Sequence, residues 1–278
     1  MSGFLEMMAA PLAVSLVLVA MHSHLGYHVV KRGVIFVDIA LAQVAAFGVA
    51  FSLLLGGEPG TGTTWLFALG STFLGALLIA RTRTRDQRAP QEAYIGIIYV
   101  VFSAAMILLL TQVPHGGESI RHLLVGQILW VTWREVARTT VLYGLLGLLL
   151  YAWRRPLLRI STDPEGARSS GLRLRRWDFV FYMILGTVVT SSVQIAGVLL
   201  VFTLLVVPTV MGVRLFDRMR DHFLYALVVG VAAVVIGAAA SYVLDLPTGA
   251  AVVCTFGLLL ALQILLEGPL RRLLAAAK

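Results

Sequence analysis

The residues of this sequence best suited to bind a metal ion fall at the end of one apolar run and the start of the next. His22, His24 and His28 lie in the stretch His22-Ser23-His24-Leu25-Gly26-Tyr27-His28. His24 and His28 are four positions apart, so a helix stacks them on one face, where two imidazoles can bind one ion. Interfacial histidines also bond to carbonyls or water, and the spacing suits both uses. Asp38 opens the second apolar run after Lys31-Arg32-Gly33. It can cap a helix there or place a carboxylate at the mouth of a cation path. Gln43, five residues on, offers a neutral oxygen or a helix–helix hydrogen bond. Glu92 reads as a carboxylate near a helix N-terminus. No His-Glu-x-x-His, Gly-rich phosphate loop or Walker motif is present. If ATP powers this protein, another chain hydrolyses it.

The elements that must position these groups are spans. The chain is 59% hydrophobic and 13% charged over 278 residues, with a mean hydropathy of +0.90. Soluble domains carry about 25% charged residues, so a soluble enzyme is excluded. A crossing needs about 20 mostly apolar residues, and candidate crossings run near 4–24, 37–55, 64–80, 93–112, 136–153, 179–194, 197–213, 223–243 and 248–266. Continuous runs, rather than alternating strands, mean helices and not a barrel. The fold expected is all-α, a single polytopic membrane domain over residues 1–278 with about eight to nine transmembrane helices. The stretch 122–132 is apolar but too short to span and reads as a re-entrant or interfacial helix. Cys254 lies alone in an apolar run, which excludes an intrachain disulfide and predicts an inert buried thiol.

The net charge of +8 marks topology rather than nucleic-acid binding. Of the 22 Lys and Arg, all but Arg121, Arg134 and Arg138 fall in one alternating set of loops, which are therefore cytoplasmic. The N-terminal segment lacks a basic n-region, so it is expected to be retained and to face outward. The longest polar stretch, about 154–178, carries seven arginines against Asp163, Glu165 and Asp178. Asp163-Pro164 reads as a cap, the following residues as a short helix, and Gly171 as its stop. Such a helix suits docking of a soluble partner. A solvated loop obeying the positive-inside rule is the plainer alternative. Asp245 sits in a Pro/Gly-marked outside turn, and Gln194 reads as a turn residue between two spans.

Four stretches, spread over about residues 10–266, resemble the permease subunits of ATP-binding-cassette importers for zinc, manganese and iron. They are Leu25-Gly26-Tyr27-His28-Val29-Val30-Lys31-Arg32 through Gly48-Val49-Ala50; Ala93-Tyr94-Ile95-Gly96-Ile97-Ile98 with the later Leu123-Leu124-Val125-Gly126-Gln127-Ile128-Leu129; Gln194-Ile195-Ala196-Gly197-Val198-Leu199-Leu200 through Pro208; and Tyr242-Val243-Leu244-Asp245-Leu246-Pro247-Thr248-Gly249. The resemblance implies a homodimer in the bacterial inner membrane, two cytosolic ATPase subunits, and a periplasmic or lipid-anchored metal-binding protein. It implies no resident cofactor, the divalent metal being cargo. It also implies that Glu165–Gly171 is the coupling segment, with Glu165, Ala167 and Gly171 similar to the Glu-Ala…Gly pattern of importer coupling loops. One departure stands out. The family's Gly-Asp-x-x-x-His at the second span is replaced here by Asp38, Ile39 and Gln43, so the usual Asp/His pair is absent, and His22, His24 and His28 are expected to compensate.

The function expected is a divalent-metal importer permease, zinc first because imidazoles outnumber carboxylates, then manganese or iron. Two rivals are an ATP-independent secondary transporter or channel, and a membrane metalloenzyme using His24, His28 and Asp38.

Overall fold

The computed structural model describes residues 2–83, 90–113, 126, 128–216 and 218–276, with side chains described for those between 8 and 266. Lipid leaves backbone groups no partner outside the chain, so apolar runs of this length satisfy them internally as helices. Those helices are α1 (Ser2–Arg32), α2 (Val37–Leu54), α3 (Gly62–Thr82), α4 (Gln91–Leu110), α5 (Trp133–Ala152), α6 (Arg154–Thr162), α7 (Pro164–Ser169), α8 (Leu174–Leu215), α9 (Met219–Leu244) and α10 (Thr248–Ala276), with a 3₁₀ turn at Ile128–Trp130. There is no strand among the described residues. Eight of the helices are long and apolar enough to cross a membrane.

Two of the nine expected crossings, 179–194 and 197–213, fall within α8. A straight helix of 42 residues would run to about 63 Å, twice the hydrocarbon core. It is interrupted once, at Gly197, whose φ of 76° and ψ of 160° are non-helical. Gln194 is therefore helical and exposed rather than a turn residue. Gly126, itself at φ 74°, lies so close to the carbonyl of Ala196 that a Cβ there would collide with it. Most of the short stretch near 122–132 lies outside the described residues. Cys254 is exposed on α10 rather than buried, because it points away from the helix packing.

Packing divides the chain into two units. One holds residues 1–27, 128–140 and 199–278. In it the Gly237 surface of α9 meets the backbone of Val252 on α10, as small residues at helix contacts allow. Asp245 ends α9 in the left-handed region (φ 51°), and Ser241 Oγ closes that turn on the carbonyl of Leu246 at 2.7 Å. The turn expected at Asp245 is thus formed.

The other unit holds residues 28–127 and 141–198. Here α2, rich in alanine, packs against α3 and α4, and Ala46 and Ala50 bury against Met106 and Leu110. Hydroxyl pairs tie α3 and α5 to α8. Thr72 Oγ1 and Thr190 Oγ1 are 2.9 Å apart, and Tyr143 Oη and Ser192 Oγ are 2.6 Å apart.

Candidate metal path and coupling segment

The first turn of α2 carries a buried carboxylate. Asp38 is 1% accessible, and neither of its carboxylate oxygens has a hydrogen-bond partner. Burying an unpartnered carboxylate is expensive, and inside a span such a group is functional by default. The helix-cap reading of Asp38 is removed. The N-cap is Phe36, with no side-chain cap bond, and the Glu92 carboxylate at the start of α4 faces the Ile35 and Phe36 backbone with its Oε2 unpartnered. Glu92 lies in the first turn of α4, at that helix's own N-terminus, as the sequence predicts. Further along α2, Gln43 is 4% accessible and its Oε1 also lacks a partner. Five residues of rise separate the two groups by about 7.5 Å along the axis. Both offer oxygen to the interior of the second unit.

The three histidines have separate environments. His22 is fully buried, and its Nδ1 lies 2.8 Å from the Leu18 carbonyl one turn back in α1. His24 meets the edge of the Phe223 ring at 6.0 Å. His28 has its Nδ1 2.9 Å from Ser161 Oγ on α6. The single hydroxyl proton of Ser161 goes to the Leu157 carbonyl at 2.9 Å. Ser161 Oγ then accepts from His28 Nδ1, so one hydroxyl joins α6 to the end of α1. Among the described residues, no group of three or more His, Cys, Asp or Glu side chains is arranged to hold a metal ion.

The segment 154–178 is helical rather than a loop. Asp163 caps α7 by accepting from the Gly166 N–H at 2.9 Å, and Pro164 takes the first turn. Gly171, at φ 82°, ends it. The Leu172 N–H reaches the Ala167 carbonyl at 3.1 Å and the Gly171 N–H reaches that of Arg168 at 3.0 Å, the hydrogen bonds of a Schellman stop. Glu165 and Gly171 are exposed. Ala167 is not: it is buried with Ile160 and Leu174, so it fastens α7 to α6 and to the start of α8.

Sequence reasoning missed a buried ion cluster at the base of this segment. Asp178 is wholly inaccessible and accepts from Arg32 Nη1 at 2.5 Å and from Arg83 Nη1 at 2.6 Å. Arg32 Nε also donates to Ser161 Oγ at 2.9 Å, and its guanidinium lies 4.2 Å from the centre of the Phe181 ring. The only signal in the sequence was an acid closing a run of arginines before an apolar stretch.

A model of the ABC 3 transport family matches residues 4–267. The chain belongs to that family. It is 29% identical over 188 residues to the manganese transport system membrane protein MntB of Synechocystis sp., covering 67% of this chain and 59% of that protein. The match thus spans less than two thirds of that relative's length. It is 26% identical over 242 residues to the chelated iron transport system membrane protein YfeC of Yersinia pestis, covering 86% and 79%. Among solved structures, PsaBC from Streptococcus pneumoniae in complex with Fab superposes with a TM-score of 0.81 at 20% identity, covering 100% of this chain and 99% of that one. The fold is that of an ABC 3 permease, and the chain is a multi-pass protein of the inner membrane.

Proposed function

We propose that this ABC 3 family member is the permease of an ATP-driven importer of divalent transition-metal ions, with manganese or iron ahead of zinc. The observation that carries the reading is Asp38, a buried carboxylate in a span with both oxygens unpartnered. A passing cation supplies the partner that the fold withholds. Hard oxygen donors such as Asp38 and Gln43 Oε1 suit manganese and iron(II) better than zinc, and the relatives are named for manganese and iron. The histidines argue for zinc, but His22 and His28 are already held by Leu18 and Ser161. His28, in the same unit as Asp38, remains a candidate to complete a site with it.

In this reading a separate cytosolic ATPase docks on α7, using the exposed Glu165 and Gly171, and a periplasmic or lipid-anchored protein delivers the ion to a permease homodimer. The permease itself does no covalent chemistry. Affinity purification of the tagged chain from its native membrane, followed by reconstitution, tests this. The expected result is a co-purifying ATPase and manganese uptake that requires ATP. Uptake at the same rate without the ATPase would replace the reading with an ATP-independent carrier.

A further inference from the structure

Ser161 and Asp178 meet the end of α1 from one side, and both belong to the segment that carries α7. The contacts are dense. Ser161 Oγ donates to the Leu157 carbonyl and accepts from His28 Nδ1 and Arg32 Nε, each at 2.9 Å. All of its hydrogen-bonding capacity is used. Asp178, sixteen positions after the α6 terminus at Thr162, accepts from Arg32 and Arg83. The His28 and Arg32 side chains also lie against the Phe181 ring of α8, at 5.7 Å and 4.2 Å. On the far side, Ile160, Ala167 and Leu174 share one buried cluster, so α6, α7 and the start of α8 form one piece.

A buried ion cluster of this kind adds little net stability over apolar packing, and its best-attested use is to fix register or to switch. A salt bridge alone fixes position. Here one hydroxyl joins the docking segment both to the arginine of the cluster and to a histidine of α1. We infer that Ser161, backed by the Arg32–Asp178–Arg83 cluster, is the joint through which movement of α7 is passed to α1. Ser161 and Asp178 are positioning residues: they act through His28 and the end of α1 and touch no cargo. This rests on the proposed function, because it takes α7 to be where the ATPase docks.

Asp178→Asn leaves the buried Arg32 and the half-buried Arg83 short of a charge and risks failure to insert. Ser161→Ala keeps every charge and is the decisive variant. Thr162→Ala is its control, since Thr162 likewise bonds back to a carbonyl of α6, that of Leu158, but is exposed. The measurement is manganese taken up per ATP hydrolysed by the permease–ATPase complex in vesicles, with ATPase retention scored on the same preparations. Ser161→Ala is expected to keep the ATPase and its hydrolysis rate while uptake per ATP falls about tenfold, and Thr162→Ala is expected to match wild type. An unchanged ratio in Ser161→Ala overturns the joint and leaves the proposed function standing. So does loss of the ATPase from Ser161→Ala, which reduces the residue to packing. A wild-type complex with no ATP-dependent uptake overturns the proposed function, and the joint with it.

Discussion

Asp38 and Glu92 divide between them two roles that one carboxylate could have held. Glu92 sits in the first turn of α4 facing the backbone at the start of α2, and both Asp38 oxygens are left without a hydrogen-bond partner. Their substitutions should therefore differ in sign. Asp38→Asn removes an uncompensated buried charge, so thermal unfolding in detergent should be unchanged or shifted upward. Glu92→Ala removes a carboxylate from the first turn of α4, should cost up to about 1 kcal/mol, and should lower the midpoint by about 2–4 °C. A marked loss of stability in Asp38→Asn would show that the carboxylate has a structural partner after all. The two types of residue were not equally legible. Asp38 stands out in the sequence as an acid in an apolar run, whereas its freedom from capping depended on where α4 begins.

At the scale of the element, α7 was readable almost residue by residue. An Asp-Pro cap and a glycine stop are local signals, and both form as expected. The inward turn of Ala167 was not readable, because six residues are too few to show a face. Gly171→Val forces a β-branched residue into the left-handed region at a cost of about 1–2 kcal/mol, while Gly171→Asn tolerates it. ATPase recovered on the tagged permease should fall with Val and stay near wild type with Asn. Equal recovery from both would separate α7 geometry from docking. The interruption of α8 shows the opposite limit. Residues 179–213 are apolar throughout except for a few polar positions, and two helical stretches meet there at the non-helical Gly197, a break whose sharpness hydropathy cannot show. The Arg32–Asp178 pair, 146 positions apart, leaves no periodic trace at all, since pairing across such a separation is decided by tertiary packing.

At the scale of the molecule, composition and the distribution of Lys and Arg carried most of the result. All-α architecture, the placement of the spans and the family's fold follow from apolar runs that lipid permits only as helices. The basic loops predict sidedness. A cysteine placed at Gly60, between α2 and α3, should react with a membrane-impermeant thiol reagent added outside intact cells. One placed at Ser169 should react only after lysis, with Cys254 replaced in both because it is exposed. The reverse pattern would invert the topology and remove α7 from the cytosol.

The central claim is that a divalent cation crosses the membrane past the Asp38 carboxylate. Manganese uptake by Asp38→Asn in reconstituted vesicles, at matched insertion and ATPase content, tests it most directly. Asn keeps the size and one oxygen of the side chain and removes its charge, so uptake should fall by about 10–100-fold. Uptake at the wild-type rate would contradict the claim and leave Asp38 a buried carboxylate without a role in transport.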